Sequence, residues 1–172
     1  MVAGEGPGEV ELGVGKLRAL LGTAFSHAPL GMAVVDVSGQ IVIANDALCR
    51  ITGHATADLT EHTIADLITA EDRALEAEHR ERLIAGELTS YEVSVRLSRA
   101  DGSPVWVALT ASTDGTATPE TLIYQLQDIS ERRELEGRLR YMVDYDLLTG
   151  LFNRHRFEAE LKRQIQRHRR TG

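Results

Sequence analysis

The run Tyr91-Glu92-Val93-Ser94-Val95-Arg96-Leu97, followed by Asp101-Gly102 and then Val105-Trp106-Val107-Ala108-Leu109-Thr110, decides the fold. In both flanks apolar residues fall at every second position. Successive side chains of a strand point to opposite faces, so each flank reads as a strand with one face buried. Asp-Gly tolerates the backbone of a tight turn, which joins the two into a hairpin. A third strand, 121–129, follows a turn-rich loop at 114–120. Upstream, Leu30–Val37 and Gln40–Ala44 are β-branched runs around Ser38-Gly39, a second hairpin. Five antiparallel strands are predicted.

Helical signals fill the gaps. Leu17, Leu20, Leu21, Ala24 and Phe25 recur at helical spacing, and Pro29 ends that amphipathic helix. Asn45 and Asp46 are N-cap residues for a short helix with Ala47, Leu48 and Ile51, stopped at Gly53. Residues 54–68 read as short helical turns. Thr69 and Asp72 resemble a capping box opening a helix over 69–86, with Ala74, Leu75, Ala77, Leu83 and Ile84 as its apolar residues. From Ser130 the pattern is helical again. Leu135, Leu139 and Met142 sit at i, i+4 and i+7, the spacing of a narrow coiled-coil seam. A helix this short is marginal alone, so a parallel copy from a second chain is its expected partner. After Thr149-Gly150 a further helix is predicted near Asn153, with Phe157, Leu161, Ile165 and His168 on one stripe. The fold class is α+β.

Composition narrows the function. The chain has 172 residues and a net charge of −7. Residues 1–128 carry 8 basic and 19 acidic side chains, and residues 129–172 carry 11 and 7. The acidic body argues against nucleic-acid binding, and the basic end reads as a solvated helix face. Cys49 is the single cysteine, which excludes an internal disulfide and a cysteine-clustered zinc site. It reads as a buried structural thiol. No apolar run approaches the ~18 residues of a membrane span. A cytoplasmic chain is expected. The glycine-rich stretch 1–15 reads as a disordered leader.

Four segments in order resemble the PAS sensor family: Val37-Ser38-Gly39-Gln40-Ile41-Val42-Ile43-Ala44-Asn45 its entry hairpin, Ile51-Thr52-Gly53-His54 its "LTGY" segment, Asp101-Gly102-Ser103-Pro104-Val105-Trp106-Val107 its "DGS…WV" hairpin, and Asp128-Ile129-Ser130-Glu131-Arg132 its "DISER" exit. The resemblance implies a PAS fold, with a five-stranded sheet and helices on one face. The sensor with its N-terminal helix would span 16–130, and a signalling helix 131–145. A second resemblance follows. Asp146-Leu147-Leu148-Thr149-Gly150-Leu151-Phe152-Asn153-Arg154 is similar to the "DxLTGLxNR" opening of GGDEF diguanylate cyclase domains, so 146–172 is the expected truncated start of one.

The second resemblance implies a parent protein that joins two GTP molecules into cyclic di-GMP under PAS control. Asn153 falls at the family's guanine-contacting Asn, and Asp146 at a motif position whose role is positional, or simply a cap. The Gly-Gly-Asp/Glu-Glu-Phe loop and the metal-binding strand are not in these residues, so this chain is expected to be inert, with Mg²⁺ and GTP belonging to the parent. The expected assembly is a homodimer through the N-terminal and signalling helices.

The family's cofactors can be set against residues. A photoactive flavin needs a cysteine where Thr63 stands. Haem needs an axial histidine, and His79 lies too near Gly86, among Glu78, Arg80, Glu81 and Arg82. No cofactor is therefore expected. Two readings of the interior stay open: an empty dimerisation domain, or a site for a small metabolite or non-covalent flavin; Trp106 could flank a ring there, but tryptophan is common in this family's hairpin and reads first as packing. The runner-up for the whole chain is a PAS interaction module with no cyclase link. A kinase transmitter would need a phosphoacceptor motif, and His155 and His168 lack that context.

Overall fold

The computed structural model describes residues 7–113, 115–116, 119–144, 149, 151–153 and 156–157. The elements run α1 (Pro7–Ser26), β1 (Gly31–Asp36), β2 (Ile41–Ala44), α2 (Asp46–Thr52), α3 (Thr56–Leu59), α4 (Ile64–Leu67), α5 (Arg73–Ile84), β3 (Ser90–Ser98), β4 (Pro104–Thr113), β5 (Thr121–Asp128) and α6 (Ser130–Asp144). The chain divides into two compact units, 1–129 and 130–172. The first holds a five-stranded antiparallel sheet of order β2-β1-β5-β4-β3.

Alternation does what the sequence implies. Tyr91, Val93, Val95 and Leu97 of β3, Val105, Val107, Leu109 and Ala111 of β4, and Leu122, Tyr124 and Leu126 of β5 all face one buried side. Leu48, Leu59, Ile64, Leu67 and Leu83 from α2–α5 cover that side and complete one core. Burial of such side chains stabilises by about 1.5–3 kcal/mol each before chain entropy is set against it.

Local chemistry fixes the entry to the sheet. Asn45 is buried and satisfied on every side: Oδ1 accepts from the Met32 and Leu48 amides at 2.8 and 3.0 Å, and Nδ2 donates to the Phe25 and Leu30 carbonyls at 3.0 and 2.9 Å. One side chain thereby caps α2 and ties it to β1 and to the end of α1. Gly31 sits where α2 crosses β1: a Cβ there would meet Leu48 Cα at 3.2 Å and the Leu126 carbonyl oxygen at 3.3 Å. Gly53 closes α2 with φ 74°, the left-handed cap that favours glycine.

Three expectations change. The stretch 1–15 reads as disordered, yet α1 is helical from Pro7. Proline suits the first helical position because its missing N–H would be unpaired there. The long helix begins at Arg73, not Thr69. Asp72 cannot serve a capping box, because its carboxylate is held by Arg96 of β3 in a two-pronged contact at 2.9 Å on each side. Finally, Leu75 is exposed and Glu76 is buried, the reverse of the predicted apolar face of α5.

Candidate functional site

Tyr91 and Tyr124 occupy inward positions in the same cross-strand row. Register pairs Tyr91 with Ala111, Ala111 with Tyr124, Tyr124 with Ala33, and Ala33 with Ala44. Adjacent strands lie ~4.8 Å apart, so the two rings start about twice that distance apart with only a methyl group between them. They lean over Ala111 until their hydroxyls are 3.2 Å apart. A buried tyrosine hydroxyl needs a partner. Both find Glu76, carried on α5: Tyr124 donates to its Oε1 at 2.7 Å and Tyr91 to the same oxygen at 3.0 Å.

Glu76 is 0% exposed. Its cationic neighbour is Arg80, one turn along the helix, with Nε 3.5 Å from Oε1. Burial, first of all, raises the pKa of both phenols, so they stay protonated donors. Oε2 of Glu76 and Nε of Arg80 are buried without hydrogen-bond partners. His79 packs its ring 5.3 Å from that of Tyr91 and pairs Nδ1 with the Leu75 carbonyl at 2.8 Å. The arrangement is a polar cluster, one carboxylate at its centre, set into an apolar core and facing the sheet. It can orient a hydrogen-bonding guest. Among the described residues there is no group of three metal-ligating side chains.

The predicted positions fall elsewhere. Thr63 is the N-cap of α4, its hydroxyl 2.7 Å from Asp66 Oδ2. Cys49 is half-buried at the edge of the core rather than fully enclosed, with Sγ 3.3 Å from Thr56 Oγ1. Trp106 cannot flank a guest in the core, because β4 turns it to the opposite face, where Arg96 lies 5.3 Å over its ring. Leu135 and Leu139 lie on α6, 51% and 59% exposed, and Met142 is on the same helix. Asn153 caps a helical turn: its Oδ1 accepts from the Arg156 amide at 3.0 Å. Asp146, Leu161, Ile165 and His168 lie outside the described residues.

Glu76 escaped the sequence reading because hydropathy assigns a carboxylate to the solvent face. The signal that finds it is the pair of tyrosines at inward strand positions, which require an acceptor on the helix above them.

At the exit of the first unit, Arg99 pairs with Asp128 at 3.3 Å, and the Ile129 amide donates to the Trp106 carbonyl at 2.9 Å. One residue separates the end of β5 from the start of α6.

An antiparallel five-stranded sheet with its helices on one face and a polar cluster inside defines an α+β sensor-type domain. The chain belongs to the PAS family: the model described as "PAS fold" matches residues 17–141. It is a PAS sensor domain, homologous to PAS regions of bacterial signalling proteins. It is 34% identical over 117 residues to the "Probable diguanylate cyclase DgcE" of Escherichia coli, covering 66% of this chain and 10% of that protein. It is 31% identical over 164 residues to an "Uncharacterized signaling protein" of Caulobacter vibrioides, covering 91% of this chain and 18% of that one. The chain thus spans less than a fifth of either relative. Among solved structures, the PAS domain of a LuxR-family transcriptional regulator from Burkholderia thailandensis, in complex with ethanol, superposes with a TM-score of 0.55 at 25% identity, covering 63% of this chain and 96% of that one. No helix among the described residues is long and apolar enough to cross a membrane.

Proposed function

We propose that this chain is the regulatory segment of a diguanylate cyclase, in which paired PAS domains and signalling helices set how two GTP-bearing cyclase domains meet. The observation that carries the reading is α6. It leaves β5 after a single residue, shows Leu135 and Leu139 to solvent along one face, and is followed in the sequence by the 146–154 segment similar to a cyclase opening. A narrow leucine seam with Arg132–Glu136 and Arg138–Glu134 pairs beside it is the surface that a second copy buries. Leu17, Leu20 and Leu21 of α1, each more than half exposed, offer a second apolar strip to the same partner.

Sequence relatives support this reading. One is a probable diguanylate cyclase, and the Caulobacter match is too long for the PAS region alone. Coupling is a population shift between two helix packings, biased by the sensor through the short β5–α6 junction. Asn153 and Asp146 would serve the parent's nucleotide site, and Mg²⁺ and GTP would bind there. The substrate places the protein in the cytoplasm. The sensor holds no resident cofactor and takes a small molecule as its signal, as the ethanol in the Burkholderia domain illustrates for that protein.

Sedimentation equilibrium tests the assembly: a concentration-dependent dimer is expected, and a monomer at every concentration overturns it. The gene downstream of residue 172 tests the cyclase link: it should encode a Gly-Gly-Asp/Glu-Glu-Phe loop, and its absence leaves a PAS module without that output.

A further inference from the structure

The core contains an unused acceptor and an unused donor on neighbouring turns of α5. Oε1 of Glu76 serves Tyr91 and Tyr124, while Oε2 is buried with no partner. Arg80 Nε is buried with no hydrogen-bond partner either, although it lies 3.5 Å from Oε1. Buried polar groups in folded proteins are nearly always paired. Two orphans of opposite kind, one helical turn apart, describe a guest that donates to a carboxylate oxygen and accepts from a guanidinium N–H.

A hydroxyl does both with one atom. An ammonium has no lone pair for Arg80, and a carboxylate has no proton for Glu76. Charge points the same way. Glu76 and Arg80 offset one another, so a charged guest would be desolvated without a counter-charge. The two tyrosine donors fix the carboxylate by Oε1 and leave Oε2 presented. Ala33 and Ala111 flank Tyr124 in its row, so only methyl groups stand beside it there.

We propose that Glu76 Oε2 and Arg80 Nε receive a small neutral hydroxyl compound. This deepens the sensory reading above, on which it rests only for calling the compound a signal. Binding itself is read without any cyclase output.

The ¹⁵N-labelled chain is titrated with ethanol and with ethanediol, and with ethylammonium chloride and sodium acetate at matched ionic strength. Saturable amide shifts at Glu76, Tyr91, Ala111 and Tyr124 are expected with an alcohol, and none with either ion. Glu76→Gln should weaken binding at least tenfold, since it turns the free acceptor into a donor while its amide oxygen still serves the tyrosines. Arg80→Met should weaken it severalfold, and it stands in should the first variant fail to fold by circular dichroism. No saturable shift with either alcohol means that water alone occupies the dyad, and overturns the proposal. So does binding of an ion in place of the alcohol, or alcohol binding unchanged in the folded variants. A monomer in sedimentation would sink the dimer reading and leave this one standing, and the converse also holds.

Discussion

Helices α5 and α6 both defy their hydropathy, and in opposite directions. In α5 a carboxylate is fully buried while Leu75 is exposed; in α6 Leu135 and Leu139 are exposed among charged neighbours. An inward polar residue and an outward apolar one have different meanings. The first survives only where the surrounding fold supplies partners, as Tyr91 and Tyr124 do for Glu76. The second is the surface through which the proposed dimer would form. On the function proposed above, the cluster around Glu76 receives the signal and α6 passes it on.

The largest effect is expected at the centre of the polar cluster. Glu76→Ala strips two buried phenols of their acceptor and opens a void, so unfolding in urea should show a loss of about 3–4 kcal/mol. The triple change Glu76→Leu, Tyr91→Phe, Tyr124→Phe removes donors and acceptor together, and should recover most of that loss. Such recovery would mean that the cluster is kept for a purpose other than stability. A triple variant as unstable as Glu76→Ala would show instead that the cluster is scaffolding.

Asn45 sharpens the contrast, because it is a buried polar side chain with every hydrogen-bonding group used. Asn45→Ala should cost about 2–3 kcal/mol by the same measurement, since it removes the side-chain hydrogen bonds of the Met32 and Leu48 amides and the Phe25 and Leu30 carbonyls together. Unlike Glu76→Gln, it should leave the alcohol-induced shifts at Tyr91 and Tyr124 in place in the folded fraction.

On the outer helix the expected effect moves from folding to association. Leu139→Asp should leave the melting of the PAS unit unchanged and weaken self-association at least tenfold in sedimentation, about 1.4 kcal/mol. A variant that still dimerises as the unaltered chain does would remove α6 from the interface and leave α1 as its surface.

The sheet, both hairpins, the Asn45 cap and the Gly53 stop were legible because each is written in a local signal: period-two alternation, a turn pair, a capping side chain, a left-handed glycine. What was not legible depended on distant partners. Asp72 resembled half of a capping box, and only the fold brings Arg96 to claim its carboxylate. Trp106 reads first as packing and second as a ring to flank a guest, and only the register of β3 against β4 reveals that what it packs against is the Arg96 guanidinium on the far side of the sheet. Glu76 was invisible for the same reason, since its acceptor role comes from Tyr91 and Tyr124, the latter 48 residues away. The alternation that reveals the sheet also turns both tyrosines inward, where their hydroxyls require an acceptor.

Asp66 supplies the weakest test and the cleanest control, because it is a carboxylate doing in water what Glu76 does in the core. Its Oδ2 accepts from the Thr63 amide at 2.9 Å and from the Thr63 hydroxyl at 2.7 Å at the start of α4. The Thr63 hydroxyl bond above all holds its pKa below the ordinary carboxylate value. A depressed carboxylate pKa contributes stability that is fully present above the unfolded value, near pH 4, and is lost as pH falls through the lower folded value. Asp66 is exposed, so solvent screening leaves only a few tenths of a kcal/mol to be gained from the charge. Asp66→Asn should therefore melt slightly below the unaltered chain at pH 7. The gap should narrow as pH drops below 4 and close once the native carboxyl is protonated. A gap independent of pH would mean that the side chain's shape, and not its charge, holds the turn.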